Sequence, residues 1–206
     1  MAELACGAAD IGLAPSEEAF SRFRTYLDTL MLWRRRFSLT AATTPLAVVR
    51  EHILDSLQIA RFLRPEFQVV DLGSGAGFPG ISLAIVCAEC SFILVESHRK
   101  KANFLREVAR AASLANVEVV EQRAEALHTL RLKPSDVVVS RAVWSLSAFL
   151  ALSEQLLNDR GLAIAMRGSR GLAEAADYHG ALVPYEIFRY ALSNGRQHAL
   201  VIYQRP

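Results

Sequence analysis

Apolar positions along the chain follow two periods in turn. From Ser16 to Met31 they recur at helical spacing, with Phe20, Phe23, Leu27, Leu30 and Met31 on one face. Pro15-Ser16-Glu17-Glu18 reads as the start of that helix. Ser16 suits the cap, and the two acids suit the positive end of the helix dipole. A second helical stretch follows Pro45, with Val48, Val49, His52, Ile53, Leu57 and Ile59. Residues 15–62 are therefore expected to form an N-terminal helical segment.

From Phe67 onward short apolar runs alternate with helical ones. Val69–Leu72, Ser91–Val95, Val117–Val120, Asp136–Ser140 and Leu162–Met166 read as strands, and Lys100–Ala115 and Ser145–Leu157 read as helices. Near-continuous apolar strands between helices imply a parallel sheet covered on both faces. Tyr185–Leu192 and Gln197–Tyr203 instead alternate polar and apolar residues around Ser193-Asn194-Gly195-Arg196, a hairpin signal. The expected fold is α/β: a doubly wound, Rossmann-like, mostly parallel seven-stranded sheet over 67–206, with an antiparallel C-terminal hairpin and the helical extension, all in one domain. A parallel sheet closed by such a hairpin resembles the class I methyltransferase variant of the doubly wound fold.

Composition narrows the classes. With 206 residues, 52% apolar and 21% charged, the chain has enough apolar surface for a full core. A net charge of +2 is too small to indicate nucleic acid by itself. The local runs Arg34-Arg35-Arg36 and His98-Arg99-Lys100-Lys101 read first as solvated helix faces. The most apolar stretch, Ile81–Ala88, has the length of a buried helix face and not of a bilayer span. Residues 1–14 are mildly apolar, but Glu3 stands where a signal peptide places positive charge, so a cytoplasmic chain with no membrane partner is expected. Cys87 and Cys90 have metal-pair spacing without the further ligands a zinc site needs. Buried structural thiols and no metal are expected.

In an open α/β sheet a ligand sits beyond the carboxyl ends of the strands, where the strand order reverses. The loop after the first strand, Asp71-Leu72-Gly73-Ser74-Gly75-Ala76-Gly77-Phe78-Pro79-Gly80, fits two templates. Gly75 to Gly80 matches the GxGxxG of dinucleotide enzymes, and Asp71 to Gly77 matches the acidic glycine loop of methyltransferases. Register separates them: Gly75 lies four positions past Asp71, too late for the dinucleotide fingerprint. A carboxylate at Asp71 suits a cationic α-ammonium group, which S-adenosylmethionine has and NAD lacks.

Three more strand ends carry candidates. Glu96 stands 23 positions after Gly73, where the fold places an acid for ribose hydroxyls; the plain alternative is a surface pair with Arg99 or Lys100. Ala124-Glu125 follows the third strand, where an adenine ring would lie, or is simply a helix start. Ser140-Arg141-Ala142 ends the fourth strand. No amine-methylating Pro-Pro-aromatic motif and no cysteine stand there. The guanidinium of Arg141 can bond a carboxylate, a phosphate or a guanine edge, or it pairs with Asp136, Glu125 or Asp71.

Taken together these segments resemble the bacterial guanine-N7 methyltransferases of small-subunit ribosomal RNA, also called glucose-inhibited division protein B. The carriers are Trp33, Leu39-Thr40-Ala41, His52-Ile53-Leu54-Asp55-Ser56-Leu57, Val70 to Gly80, Glu96-Ser97, Lys101 with Phe104-Leu105, Arg123-Ala124-Glu125, Ser140-Arg141-Ala142 and Gln197 to Ile202. Gly77-Phe78-Pro79-Gly80 and the His52-to-Leu57 segment are the most specific. The resemblance implies S-adenosylmethionine as cofactor, with contacts at Gly73, Phe78, Ala124, Glu125 and Arg141; Asp71, Ser74, Gly75, Gly77 and Glu96 complete the expected set. The family usually has Trp-Asn before an Asn-Leu-Thr; here Arg34 follows Trp33 and Ser38 replaces the second asparagine. Arg167-Gly168 stands where Lys-Gly is common.

Guanine N7 carries a lone pair at neutral pH, so in-line transfer needs positioning and no general base. No catalytic residue is assigned; Arg141 is the candidate for positioning the substrate. The expected partner is small-subunit ribosomal RNA within the subunit, offering a splayed base, and the chain is expected to act as a monomer. Arg34, Arg35, Arg36, Arg99, Lys100 and Arg167 are candidate phosphate contacts. His52 and Asp55, one helical turn apart, cap the cofactor pocket or bond each other. Methylation of another RNA or a small molecule, and an NAD-dependent oxidoreductase, are the alternatives.

Overall fold

A computed structural model of the protein describes residues 1–130, 133–141, 144–168, 178–192 and 195–206, without the side chains of 128–130. Seven strands form one sheet: β1 (Gln68–Leu72), β2 (Ser91–Val95), β3 (Val117–Val120), β4 (Ser135–Arg141), β5 (Leu157–Gly168), β6 (Val183–Ala191) and β7 (Gln197–Gln204). Their order is β3-β2-β1-β4-β5-β7-β6. β1 pairs in parallel with both β2 and β4, while β7 lies antiparallel between β5 and β6. The expected parallel sheet with a C-terminal hairpin is therefore present. The chain leaves β1 toward β2 and β3, then crosses to β4 on the other side. The crevice at the carboxyl ends of β1 and β4 is the reversal point where such folds bind ligands.

The apolar runs are continuous because both faces are covered. Val69, Leu94, Val137, Val139 and Ile164 face one core with the N-terminal helices. Val70, Ile93, Val95, Val138 and Ala165 face the other, against helix α7 (Leu146–Glu154). Helices α5 (Gly80–Val86) and α6 (Arg99–Ala111) link the first three strands. The predicted helix Lys100–Ala115 thus begins one residue earlier and ends sooner, before Ser113 at φ 51°. α7 stops at Glu154 because Leu157 already begins β5. Ser193 and Asn194 of the predicted hairpin turn, and Ala142 after Arg141, lie outside the described residues.

The N-terminal segment holds more than the sequence pattern indicated. Helix α2 (Glu17–Trp33) starts as expected, the Ser16 hydroxyl accepting from the Ala19 N–H at 3.1 Å. Before it lies helix α1 (Ala2–Asp10), too short and too rich in alanine to show a periodic stripe. It is held by tertiary contact: Leu4 is fully buried, Glu3 accepts from Arg50 at 2.7 Å, and Gly7 sits where any Cβ would collide with Leu54. The stretch after Pro45 is one helical run of changing pitch: α3 (Pro45–Val48), a π turn (Val49–Ile53), α4 (Leu54–Leu57) and a 3-10 turn (Gln58–Phe62). A π turn shifts the helix phase by inserting a residue, and this one carries His52 just before Asp55.

Cys87 and Cys90 flank the turn between α5 and β2, at the opposite end of the sheet from the crevice. The Cys90 thiol donates to the Arg64 carbonyl at 3.1 Å. Burial pushes the Cys87 thiol up to about 12 and raises that of Cys90. Cys90 is buried as expected, whereas Cys87 is only half-buried. No helix among the described residues is long and apolar enough to cross a membrane.

Candidate active site

The glycine loop leaves β1 directly. The N–H groups of Gly73 and Ser74 both donate to the Val95 carbonyl, at 2.9 and 3.1 Å, which folds the loop across the end of β2. The Ser74 hydroxyl returns to the Asp71 carbonyl at 3.0 Å. Gly77 has φ +96°, and a Cβ there would lie 2.7 Å from Ile81 Cγ1 and 2.9 Å from the Tyr26 hydroxyl oxygen. Only glycine meets both conditions. That hydroxyl, fully buried on α2, donates to the Ala76 carbonyl at 2.6 Å. Tyr26 thus ties the N-terminal segment to the loop, a role its place in an apolar stripe concealed. Pro79 precedes α5 as its N-cap.

Asp71 is fully buried at the end of β1. Its Oδ2 accepts from the Gly80 N–H at 3.0 Å, and a Cβ on Gly80 would close to 2.6 Å of that oxygen. Oδ1 has no hydrogen-bond partner. Burial pushes this carboxyl up to about 7, and nearby Glu96 adds to the rise. A buried carboxylate with one oxygen unpaired is costly unless a cation joins it.

Glu96 follows β2 and is also buried. It does not pair with Arg99 or Lys100. Its Oε2 accepts from the Gly75 N–H at 2.9 Å, and its Oε1 accepts from the His98 N–H at 2.8 Å, with His98 Nδ1 at 3.1 Å. Beside it opens a cavity of about 280 Å³ lined by Gly73, Gly75, Glu96, Ala124, Glu125 and Trp144, with Lys101 also at its wall. Ala124 and Glu125 begin a 3-10 turn (Ala124–Leu130) beyond β3 and line this cavity. Trp144 and Lys101 complete the wall without having been singled out as cofactor contacts by the sequence. Among the described residues no cluster of His, Cys, Asp and Glu is arranged to hold a metal ion.

Arg141 lies elsewhere, over the β1–β4 side of the crevice. Its guanidinium stands 5.9 Å from the centre of the Phe78 ring. None of the three carboxylates expected for it is its partner. Nε lies 3.5 Å from Asp55 Oδ2, and Nη2 donates to the Glu51 carbonyl at 3.1 Å and reaches His52 Nδ1 at 2.8 Å. His52 Nδ1 also lies 2.9 Å from the Glu51 carbonyl, and its Nε2 lies 2.7 Å from the Thr40 hydroxyl. Burial, then the Arg141 charge, holds the His52 imidazole below its ordinary pKa, in accord with a neutral ring. Asp55, 1% exposed, also accepts from the Tyr190 hydroxyl at 2.6 Å and lies 3.1 Å from His198 Nδ1. His52 and Asp55 therefore do not bond each other; each holds Arg141. Tyr190 and Phe78 complete the surroundings, the His52 and Phe78 rings lying 4.9 Å apart.

The basic candidates divide. Arg35, Arg36, Arg99 and Lys100 are exposed. Arg34 and Arg167 are turned inward, Arg34 donating to the Thr43 carbonyl at 2.9 Å and Arg167 to the Trp144 carbonyl at 2.8 Å. Those bonds tie each guanidinium to a loop carbonyl.

Strand order, the glycine loop and two buried strand-end acids together define a class I methyltransferase fold. Solved structures agree on the fold, and at their low identity on the fold alone. TrmN from Thermus thermophilus superposes with TM-score 0.60 at 17% identity, over 87% of this chain and 52% of that one. M. jannaschii TYW2, solved in complex with AdoMet, superposes with TM-score 0.58 at 20% identity, over 74% of each chain. The chain belongs to the rRNA small subunit methyltransferase G (GidB) family, whose profile matches residues 19–195. Proteins named ribosomal RNA small subunit methyltransferase G from Dichelobacter nodosus and Xylella fastidiosa strain M23 are 44% and 38% identical. The first match covers 70% of this chain and 67% of the relative, the second 87% and 84%. The family expected from the sequence is the family found.

Proposed function

We propose that the chain transfers a methyl group from S-adenosylmethionine to N7 of a guanine in 16S small-subunit ribosomal RNA. The observation that carries the cofactor is the unpartnered Oδ1 of Asp71, buried beside the glycine loop. It is an acceptor awaiting a cation, and the α-ammonium of this cofactor supplies one. Glu96 lies at the adjoining cavity with lone pairs left for ribose hydroxyls, and Ala124 and Glu125 line the same cavity, which supports an adenine contact there. The RNA target rests on the name that the relatives carry.

When bound, the cofactor supplies an electrophilic methyl on a sulfonium. The chain's own residues orient and enclose. Gly73, Gly75 and Gly77 bring backbone close, with Ser74 fixing the turn and Phe78 forming a wall below Arg141. Arg141, a pure donor, holds a carbonyl or carboxylate oxygen of the bound base or cofactor, in a position set by Asp55 and the Glu51 carbonyl. N7 needs no proton removed, so no base is required. A monomeric, metal-free cytoplasmic enzyme acting on the assembled subunit completes the reading.

The test is to incubate the protein with labelled S-adenosylmethionine and small subunits from a strain lacking the modification, then map the labelled base. Label at guanine N7 is expected. Label on an exocyclic nitrogen, on ribose or on a protein overturns the reading.

A further inference from the structure

We propose that the groove between the carboxyl end of α2 and the first turn of α6 binds an unpaired nucleobase of the RNA substrate together with its phosphate. The proposal rests on the reading of the chain as an RNA methyltransferase. The groove is a cavity of about 430 Å³ lined by Leu32, Trp33, Arg36, Phe37, Lys100 and Asn103. Its floor is aromatic. The Trp33 and Phe37 rings lie 5.8 Å apart, inclined at 44°, and Trp33 is braced from within by the edge of buried Phe104 at 5.7 Å. Leu32 is 62% exposed, more than any other exposed large apolar side chain among the described residues.

The rim decides the occupant. Arg36 and Lys100 are exposed, and Lys100 Nζ stands 5.0 Å from the centre of the Phe37 ring. The lining therefore carries two cations and no carboxylate. A purely apolar partner would leave both charges without use. A nucleotide uses both halves: a base stacks on an aromatic face, and a phosphate pairs with the cations beside it. Such stacking is tolerant of sequence because every base has a π face.

Position supports the same occupant. α6 begins three residues after Glu96. Its consecutive residues Lys100 and Lys101 open into different cavities, Lys100 into the groove and Lys101 into the cavity with Glu96 and Ala124. The groove and the cofactor cavity thus flank the first turn of one helix.

The experiment uses the full chain and a fluorescein-labelled seven-nucleotide single-stranded RNA, with a matching probe whose central residues are abasic. Binding is measured for the wild type, Phe37→Leu and Lys100→Gln, alongside S-adenosylhomocysteine affinity and thermal midpoint as controls for folding. Phe37→Leu keeps the apolar bulk and removes the π face. It is expected to weaken binding about tenfold with both controls unchanged. Lys100→Gln is expected to reduce the slope of log affinity against log salt by about 1. The abasic probe should bind the wild type as weakly as the normal probe binds Phe37→Leu. The chain has two tryptophans, so in a Trp144→Phe background the RNA should quench Trp33 emission saturably. Equal binding of the two probes, or an unchanged affinity in Phe37→Leu, overturns the proposal. So does an acidic amphipathic peptide that displaces the RNA and is itself weakened more by Phe37→Leu, since it would assign the groove to a protein. If the RNA results stand while no methyl is transferred, the groove survives and the reaction reading falls. If N7 is methylated with the affinities unchanged, the reverse holds.

Discussion

Two buried aspartates, Asp55 and Asp71, stand on the two sides of the crevice, 1% and 0% exposed, and they are opposites. Asp55 is saturated: the Tyr190 hydroxyl, His198 and Arg141 all converge on it. Asp71 accepts from the Gly80 N–H on Oδ2, has the Ser74 hydroxyl nearby, and keeps Oδ1 without a hydrogen-bond partner. Burial raises its carboxyl to about 7, against the lowering effect of the Ser74 and Gly80 hydrogen bonds. A buried carboxylate that is fully paired holds a structure together, whereas one left half-paired is a site held ready for a ligand. On the proposed function the contrast makes the Arg141 side framework and the glycine-loop side the place of cofactor capture, and each part of that proposal can be broken.

The largest effect is expected at Asp55. Asp55→Ala leaves Arg141, the Tyr190 hydroxyl and His198 without their shared acceptor. It should lower folding stability by about 3 kcal/mol, read from urea midpoints, and reduce methyl transfer through loss of the Arg141 position. A loss under about 1 kcal/mol would mean that the cluster is not framework. Arg141→Ala should likewise destabilise the fold as well as stop transfer, because it strands Asp55. That departs from the expectation for a residue that only touches ligand, and full activity in the variant would remove Arg141 from the site.

Asp71→Asn should act the other way. The ligand-free protein should lose no stability at pH 8, while affinity for S-adenosylmethionine falls by roughly 2 kcal/mol, about thirtyfold, the value of a hydrogen bond to a charged group. Calorimetric titration measures it, and wild-type affinity in the variant would detach Asp71 from the ammonium.

A smaller effect lies in the pH dependence. The Asp71 carboxyl ordinarily titrates near 3.8 and in the ligand-free fold near 7. The fold therefore holds an extra proton between those values. Its stabilising contribution is complete below the lower value and lost as pH rises through the upper one. Thermal midpoints of the ligand-free wild type should decline from pH 5 to 8 relative to Asp71→Asn. A bound cation pulls the carboxyl down again, so cofactor binding at pH 6 should release a proton, seen as a heat that varies with the buffer's ionisation enthalpy. Parallel pH profiles for the two proteins would remove Asp71 as the titrating group.

How far each side could be read from the sequence follows from the same difference. On the glycine-loop side the residues singled out stand at a strand end or shortly after it: Asp71 to Gly80, Glu96, and Ala124 with Glu125, whereas Trp144 and Lys101 at the same cavity gave no such signal. Strand ends and glycines fix those positions locally, so hydrophobic runs and spacing located them. The Arg141 side is built from Thr40, His52, Asp55, Tyr190 and His198, brought together only by folding. Thr40, His52, Asp55 and His198 lay in segments that carried the family resemblance, but nothing in their spacing joined them to Arg141 rather than to each other. Tyr190 gave no signal beyond strand alternation. α1 was hidden for a similar reason, since its stability comes from Gly7 packing on Leu54 and from the Glu3–Arg50 pair, neither of which is periodic.

The smallest change tests whether the two sides are mechanically joined. The Tyr26 hydroxyl is a hydrogen bond from the N-terminal helices to the glycine loop, 2.6 Å to the Ala76 carbonyl. Burial holds its phenol well above the ordinary range, so it stays a donor at any working pH. Tyr26→Phe keeps the ring against Phe78, 5.7 Å away, and removes only the donor. The orphaned carbonyl should cost about 1 kcal/mol of stability. If the bond also sets the loop, S-adenosylhomocysteine affinity should fall by a few fold with it. A lowered midpoint at unchanged affinity would mean that Gly77 and the Val95 carbonyl shape the loop unaided, and that the N-terminal segment serves the site only through His52 and Asp55.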